Sequence, residues 1–332
     1  MEQRLWMILQ LFGGAALFLY SMDTLTDALQ QAAGDTLRQA LARLTAHPLA
    51  GVLTGAAVTA VVQSSSAVTV LVLGLVGAGL LTLQRAVPVV FGANIGTTVT
   101  AQLLAFRLED ARYLLLVAGL LLWFAGRGRL HAAGQALFAF GLLFEGIAVM
   151  AEAMEPLAAG PVFRQWMAQV RHRPGLGLLA GLGMTLAVQS SSATIAVLQQ
   201  AAARPGPDGG CLLGLAGAIP VLLGDNIGTT VTAVLASVGQ SRDAKRLAAA
   251  HALFNLSRAA VCLLLLPQFT ALARLVSPHG PESAVLARQI ANAHTLFNLG
   301  CTVLWLPLTP CMVRIVCILL PEKHAPELKR TP

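Results

Sequence analysis

Long apolar blocks alternate with short polar segments along the chain. Seven blocks are mostly or wholly apolar, at residues 4–22, 87–106, 111–126, 131–150, 212–237, 247–267 and 285–320. A helix needs about 20 apolar residues to cross the ~30 Å hydrocarbon core of a bilayer. One such block could be a signal sequence, but seven of them predict an all-α, polytopic membrane protein.

Two further apolar stretches carry polar residues at their centres. Residues 49–81 surround Gln63–Ser66, and residues 175–203 surround Gln189–Ser192. As one helix the first stretch would be about 50 Å long, which is too long for one crossing, yet it is too short for two. This length favours a re-entrant hairpin of two half-membrane helices with the polar motif at the bend. A long tilted helix is the alternative, because neither bend contains glycine or proline.

The polar motifs belong to an internal duplication. Gln-Ser-Ser-Ser-Ala at 63–67 returns at 189–193, and Gly-x-Asn-Ile-Gly-Thr-Thr-Val-Thr-Ala at 92–101 returns at 224–233. We therefore divide the chain into three parts: a first transport repeat at 1–130, a second at 131–267, and a C-terminal transmembrane appendage with a short polar tail at 268–332. If hairpins add no net crossing, the first repeat crosses three times, and an odd number predicts that the second repeat has inverted topology.

The second duplicated motif places glycines and polar residues inside a block that is long enough to span the membrane. Because glycine weakens a helix by about 1 kcal/mol, this run predicts a transmembrane helix that is broken at mid-depth. The alternative is a helix-packing face of small residues, since Gly92 and Gly96 are four residues apart. Residues 24–47 are amphipathic and predict an interfacial helix, with 151–173 as its counterpart.

Composition supports the membrane assignment and narrows the partners. Of 332 residues, 56% are hydrophobic and 11% are charged, whereas soluble domains carry about 25% charged residues. The net charge of +7 comes from basic residues between the apolar blocks, as is typical of loops near anionic headgroups. No basic stretch is interleaved with aromatic residues, which argues against nucleic-acid binding. The five cysteines form no CxxC pair and fit apolar packing.

The duplicated polar residues predict a site for an anion that binds together with small cations. Polar residues at membrane depth are costly and usually functional. Serine and threonine hydroxyls donate to phosphate oxygens, their lone pairs coordinate Na⁺, and helix N-termini attract anions. No Lys or Arg lies in the four motif copies. Na⁺ would therefore neutralise the anion only while both are bound, which couples their binding.

Three positions near the motifs allow two interpretations each. Thr59 and Thr185 each precede a motif glutamine by four residues, so they could reach a bound cation or bond their own helix backbone. Asp225 stands where the first repeat has Ala93. Its carboxylate could serve a cation site or face a watery vestibule.

A second repeated segment, His-x-Leu-Phe-Asn-Leu, occurs at 251–256 and 294–299. Its histidine and asparagine are four residues apart and share a helix face. A metal site would need carboxylate or thiolate partners at ligand spacing, which are absent. Interhelical hydrogen bonding is therefore the favoured interpretation.

These residues resemble the type II sodium/phosphate cotransporter family. That family carries paired Gln-Ser-Ser-Ser segments, each preceded by a threonine four residues earlier, and Asn-Ile-Gly-Thr-Thr segments in both halves. The resemblance covers roughly residues 13–300 and implies an inverted-repeat fold and uptake of inorganic phosphate by alternating access. It further implies Na⁺ as the coupling ion, no cofactor, and a place in the bacterial inner membrane. The chain is expected to lack the soluble PhoU-like domain that many bacterial relatives append.

The resemblance also implies site residues. The expected phosphate-binding residues come from both duplicated motifs: Gln63, Ser64, Ser65, Ser66, Asn94, Gln189, Ser190, Ser191, Ser192 and Asn226. The expected sodium ligands are hydroxyl, amide and carboxylate side chains: Thr59, Gln63, Ser66, Thr97, Thr98, Thr185, Gln189, Ser192, Asp225, Thr229 and Thr230.

Other function classes fit the sequence less well. A membrane enzyme with a serine nucleophile would need a nearby base, and the repeated histidines lie outside the serine motifs, so no enzymatic activity is expected. Transport of another anion, such as a dicarboxylate, sulfate or arsenate, is the main alternative, and a passive channel fits a closed site less well. The expected partners are inorganic phosphate, Na⁺ and the lipid bilayer, and a homodimer is left open.

Overall fold

A computed structural model describes residues 2–33, 47–106, 111–206 and 210–322. These residues form helices and no β-sheet. The helices of the first repeat are α1 (Glu2–Ala33), α2 (Pro48–Val62), α3 (Ser65–Gly77), α4 (Leu83–Leu104) and α5 (Arg112–Ala125). The following helices are α6 (Arg129–Ala159), α7 (Pro161–His172), α8 (Pro174–Val188), α9 (Ser191–Ala202), α10 (Gly214–Ala236), α11 (Arg242–Leu264), α12 (Leu266–Leu275), α13 (Glu282–Trp305) and α14 (Thr309–Leu319).

Membrane-length apolar helices dominate the described part of the chain. Five are long and apolar enough to cross a bilayer: Leu5–Leu29, Leu83–Leu104, Arg129–Ala153, Gly214–Ala236 and Arg242–Leu264. A sixth arises if α13 and α14, which meet at 83°, form one broken span. The all-α, polytopic membrane fold is thus confirmed. Helix α5 has 14 residues and a length of about 21 Å, which is short for a crossing.

The predicted interfacial helix at 24–47 is not a separate helix in its described part. Residues 24–33 continue α1, and 34–46 lie outside the described residues. Its expected counterpart at 151–173 is divided between the end of α6 and α7. The polar tail after residue 322 also lies outside the described residues.

Both Gln-Ser-Ser-Ser motifs form a sharp turn between two short helices. Helices α2 and α3 have 15 and 13 residues, and α8 and α9 have 15 and 12, so each is about 18–23 Å long and too short to span the membrane. Gln63 and Gln189 end α2 and α8 in the left-handed conformation, each at φ 56°. Ser64 and Ser190 then cap α3 and α9, their hydroxyls accepting from the backbone N–H three residues later. A helix–turn–helix is thus present, and the single long helix is wrong.

The predicted break in the second motif is also wrong, because α4 and α10 run without interruption through it. Their glycines serve close helix packing instead. A Cβ at Gly92 would overlap the carbonyl oxygen of Val52 in α2, and one at Gly55 would overlap that of Val89 in α4. Equivalent glycines of α8 and α10 meet in the same way. The small-residue packing face is therefore the correct interpretation.

The C-terminal helices complete the core. Helix α13 packs against both α4 and α10, and its buried face includes His294 and Asn298. Residues 282–305 therefore pack within the shared core, and the division of the chain into two repeats and an appendage stays a prediction. Helices α11–α12 and α13–α14 also correspond to each other, because Pro267 and Pro310 follow the two repeated histidines at the same spacing. The inverted orientation of the second repeat stays a prediction.

Candidate functional site

The two motif turns meet at one cavity of about 440 Å³, which we call the tip cavity. All eight residues of the Gln-Ser-Ser-Ser segments line it, Gln63–Ser66 from the first copy and Gln189–Ser192 from the second. Leu19, Met22, Asp23 and Thr26 of α1 complete the lining with Val62, Ala67 and Val188 beside the turns. The structure therefore brings together the polar segments that the duplication singles out.

Each motif glutamine is held by its own helix end and by the neighbouring long helix. Gln63 donates from Nε2 to the carbonyl of Ala60 and accepts at Oε1 from Thr100 of α4 at 2.6 Å. Gln189 repeats both bonds, and its partner is Thr232 of α10 at 3.1 Å. These bonds stabilise a left-handed backbone that costs a non-glycine residue about 1 kcal/mol. Gln63 is 7% exposed, whereas Gln189 is exposed.

The two threonine partners are absent from the predicted site residues. Thr100 and Thr232 occupy the same place in the duplicated Thr-Val-Thr segments. That repetition was the available signal. Their role depends on the approach of α4 and α10 to the motif turns, which spacing along the chain does not reveal.

The serines of both turns present donors to the tip cavity. Ser65 and Ser66 begin α3, while Ser191 and Ser192 begin α9, so the N-terminal N–H groups of two helices lie at this cavity. Helix N-termini carry partial positive charge and favour anions. Within the described residues, the hydroxyls of these four serines make no hydrogen bond with protein groups. The arrangement can therefore bind an oxyanion without a basic side chain.

Asp225 forms a separate polar cluster beneath the second turn. Its Oδ1 accepts from Thr185 at 2.5 Å, and Thr185 also lies 3.1 Å from Thr194. Asp225 is 1% exposed, and its Oδ2 has no partner among the residues that the structure describes. In the first repeat Ala93 stands at the place of Asp225, and the buried hydroxyl of Thr59 has no partner among the described residues. Thr185 thus reaches a side chain rather than its own backbone.

The remaining threonines expected to bind sodium bond their own helices. Their hydroxyls donate to carbonyl oxygens three or four residues earlier, and none lines the tip cavity: Thr97, Thr98, Thr229 and Thr230.

The motif asparagines likewise lie outside the tip cavity. Asn94 is 3.4 Å from His251, and Asn226 is 3.4 Å from His294, in each case between Nδ2 and the imidazole Nε2. The histidines therefore serve interhelical contacts, as predicted. No group of three His, Cys, Asp or Glu side chains that could hold a metal occurs in the described ranges.

Arg258 contacts both motif asparagines, and sequence reasoning did not single it out. It donates to the side-chain oxygens of both asparagines, at 2.9 Å to Asn94 and 3.1 Å to Asn226. Arg258 lies two residues after the first His-x-Leu-Phe-Asn-Leu segment, and Cys301 holds the same place after the second, so a search for repeated residues does not find it. A basic residue in the apolar block 247–267 was the available signal.

Comparisons with known proteins identify the family of this chain. The Na⁺/Pi-cotransporter family model matches residues 17–152 and again 146–278. The "Uncharacterized protein YqeW" of Bacillus subtilis (strain 168) is 33% identical over 92% of this chain and 96% of its own length. No solved structure shows significant similarity to this chain.

More distant relatives carry transport names. The "Putative inorganic phosphate export protein YjbB" of Escherichia coli (strain K12) is 28% identical over 75% of this chain, which spans less than half of that relative, 45% of its length. The human "Sodium-dependent phosphate transport protein 2B" is 37% identical over 30% of this chain and 14% of its own length. The chain is thus a multi-pass membrane transporter rather than an enzyme, and it belongs to the Na⁺/Pi-cotransporter family.

Proposed function

We propose that this protein couples the entry of Na⁺ to the uptake of inorganic phosphate by alternating access. The observation that carries the proposal is the tip cavity, where both Gln-Ser-Ser-Ser turns present serine hydroxyls and helix N-termini to one space. A tetrahedral oxyanion accepts several hydrogen bonds at once, and this lining supplies donors from both repeats.

The charge of the lining supports coupling to a cation. Asp23 is the charged residue among those that line the tip cavity, so an anion that enters alone meets a negative charge. A Na⁺ ion that binds beside the anion offsets this repulsion. Each ligand therefore favours the binding of the other, as symport requires.

We further propose that the Asp225 cluster holds a coupling ion. The free oxygen of Asp225 and the hydroxyls of Thr185 and Thr194 are hard oxygen ligands within one buried group. Gln63 and Gln189, with Ser66 and Ser192, are the further proposed sodium ligands at the turns. Asn94 and Asn226 support the phosphate site only indirectly in this proposal, because they lie outside the tip cavity.

The names of the relatives differ in what they say about direction. One relative is named for phosphate export and another for sodium-dependent phosphate transport. A symporter moves its substrate along the combined gradients, and an inward Na⁺ gradient across a bacterial inner membrane would drive uptake. Sulfate, arsenate and dicarboxylates are also oxyanions, so they belong in the test as competitors.

Radiolabelled phosphate uptake into proteoliposomes, with and without a Na⁺ gradient, tests the proposal. We expect uptake that requires the gradient. We also expect that Ser65→Ala and Ser191→Ala each impair uptake although the protein still inserts. Ser237→Ala is the matched control, because Ser237 is a buried serine that bonds its own helix away from the tip cavity.

Three outcomes would contradict the proposal. Normal uptake by both serine variants would show that these serines do not bind phosphate in the tip cavity. Uptake of succinate or sulfate without phosphate would replace the substrate. Phosphate flux that does not depend on the Na⁺ gradient would indicate a channel.

A further inference from the structure

A buried arginine lies where the two repeats meet. Arg258 of α11 is 2% exposed. Its Cζ lies 4.3 Å from the ring centroid of Phe254 and 4.5 Å from that of Phe297. These phenylalanines occupy the same place in the two His-x-Leu-Phe-Asn-Leu segments. The guanidinium therefore packs against one aromatic ring from each copy, an arrangement that stabilises a desolvated cation.

Neutral amides, not carboxylates, compensate this charge. Its Nη1 donates to Asn298 at 2.7 Å, and its Nη2 donates to the side-chain oxygens of three further asparagines, Asn94, Asn226 and Asn255. No carboxylate lies within ion-pair distance of Arg258 among the residues that the structure describes. Because a buried charge is costly unless it is well solvated by its surroundings, each of these contacts matters to the position of the guanidinium.

One nitrogen of Arg258 connects the two repeats. Asn94 and Asn226 hold equivalent places in the duplicated motif, on α4 and α10, and both accept from Nη2. Nη2 carries two N–H groups but has three acceptors, whereas Nε has no partner within the described ranges. The guanidinium is therefore shared between both copies instead of being saturated by one of them.

The same helices hold the motif turns. Thr100 lies six residues after Asn94 on α4, about 9 Å along the helix axis, and it bonds Gln63 in the first turn. Thr232 has the same relation to Asn226 on α10 and bonds the second turn. A link between the two asparagines thus fixes α4 relative to α10, and with them the two turns that line the tip cavity.

We propose that Arg258 is a positioning residue of the transport site, which holds the two repeats in the register that brings both tips to one cavity. This inference rests on the proposed function only in taking the tip cavity as the substrate site. The equivalent place on α13 is held by Cys301, which is partly buried against the hydrophobic core on both sides of α13. An arginine placed there is therefore expected to take over this role.

The experiment measures the separation of the tips directly. Val62→Cys and Val188→Cys, at equivalent places beside the two turns, carry spin labels in a background whose five native cysteines are replaced by alanine. Pulsed electron paramagnetic resonance then gives the distribution of label distances. Phosphate uptake by the unlabelled variants gives KM and the maximal rate.

We expect Arg258→Ala to broaden the distance distribution and lower the maximal rate about tenfold or more, since a shared network is lost. Moving the arginine to the equivalent helix, as Arg258→Ala with Cys301→Arg, should restore a narrow distribution and most of the rate. Arg288→Ala is the matched control. Arg288 also lies over a phenylalanine ring and bonds a glutamine oxygen, yet it contacts neither motif asparagine, so the tip distance should not change.

Arg258→Lys keeps the proposal testable if the alanine variant does not fold. Lysine keeps the charge but lacks the planar fork that reaches both repeats, so the distribution should broaden partly. An unchanged distance distribution in either Arg258 variant would overturn the proposal. So would a folded double variant whose tips stay as disordered as those of Arg258→Ala. A wild-type protein that transports no phosphate would remove the proposed substrate without altering the distance result.

Discussion

The hydrogen bonds that hold the two motif glutamines predict unequal consequences for two equivalent substitutions. Thr100→Val and Thr232→Val each remove one hydroxyl with little change in side-chain shape. In the first repeat, the change leaves the Oε1 atom of a buried Gln63 without its 2.6 Å donor. In the second repeat, the 3.1 Å donor serves an exposed Gln189, where water can replace it.

The magnitudes follow from burial. An unsatisfied buried acceptor costs about 1–3 kcal/mol, whereas an exposed hydrogen bond contributes roughly 0.5 kcal/mol net. The first substitution should therefore cost about 1–2 kcal/mol more than the second. Gln63 forms the left-handed turn of the first motif. Part of the lost stability should therefore reduce the fraction of molecules in which this turn has the conformation that binds phosphate. The apparent KM for phosphate should then rise by up to about tenfold in Thr100→Val, since 1.4 kcal/mol corresponds to a factor of ten.

A double-mutant cycle for each pair isolates the interaction. Gln63→Ala, Thr100→Val and their combination are compared by thermal unfolding in detergent and by phosphate KM, beside the matched cycle for Gln189 and Thr232. We expect a coupling of about 1–2 kcal/mol for the first pair and less than ~0.5 kcal/mol for the second. This prediction would be refuted if the two coupling energies were equal, or if the one between Gln189 and Thr232 were larger. In either case the buried bond between Gln63 and Thr100 would not be the stronger of the two.

Three further predictions concern charge and packing. Asp225→Asn keeps an acceptor for its threonine partner but removes the charge, so the Na⁺ concentration for half-maximal uptake should rise about tenfold; an unchanged Na⁺ titration would exclude a role in cation binding. Gly92→Ala places a methyl group against the carbonyl of Val52 and should cost about 1–3 kcal/mol of stability. Gly74→Ala meets open space inside α3 and should keep or slightly raise the Tm, since alanine favours a helix over glycine by up to about 1 kcal/mol. Asp23→Asn should strengthen Na⁺-independent phosphate binding and weaken stimulation by Na⁺, and equal stimulation would contradict the charge argument for coupling.

The helix–turn–helix elements show how far sequence reasoning reaches. The length of residues 49–81 excluded one crossing or two, and the duplication indicated that both polar turns serve one site. Both conclusions depend on quantities that run along the chain, namely the rise of a helix and the cost of polar groups in hydrocarbon. The residue that makes the bend was not predictable in the same way, because Gln63 adopts a left-handed conformation in a turn whose side-chain partner, Thr100, comes from another helix.

The motif glycines show where such reasoning stops. Glycine and polar residues in one helix predicted a break in α4, yet the helix continues, because Gly55 and Gly92 let two backbones touch. A weak helix former is tolerated when tertiary packing gains more than propensity loses. The spacing of glycines along one helix does not reveal which other helix packs against them.

By itself, the sequence determined a membrane-spanning helical protein with two related halves, and it identified eight of the residues that line the tip cavity. Only the tertiary structure decided that Asn94 and Asn226 meet at Arg258, and that α13 belongs to the core. The physical reason is that hydrophobicity and repetition are properties of the chain. The solvation of one buried cation by amides from three other helices, together with one from its own, is instead a property of how the helices pack.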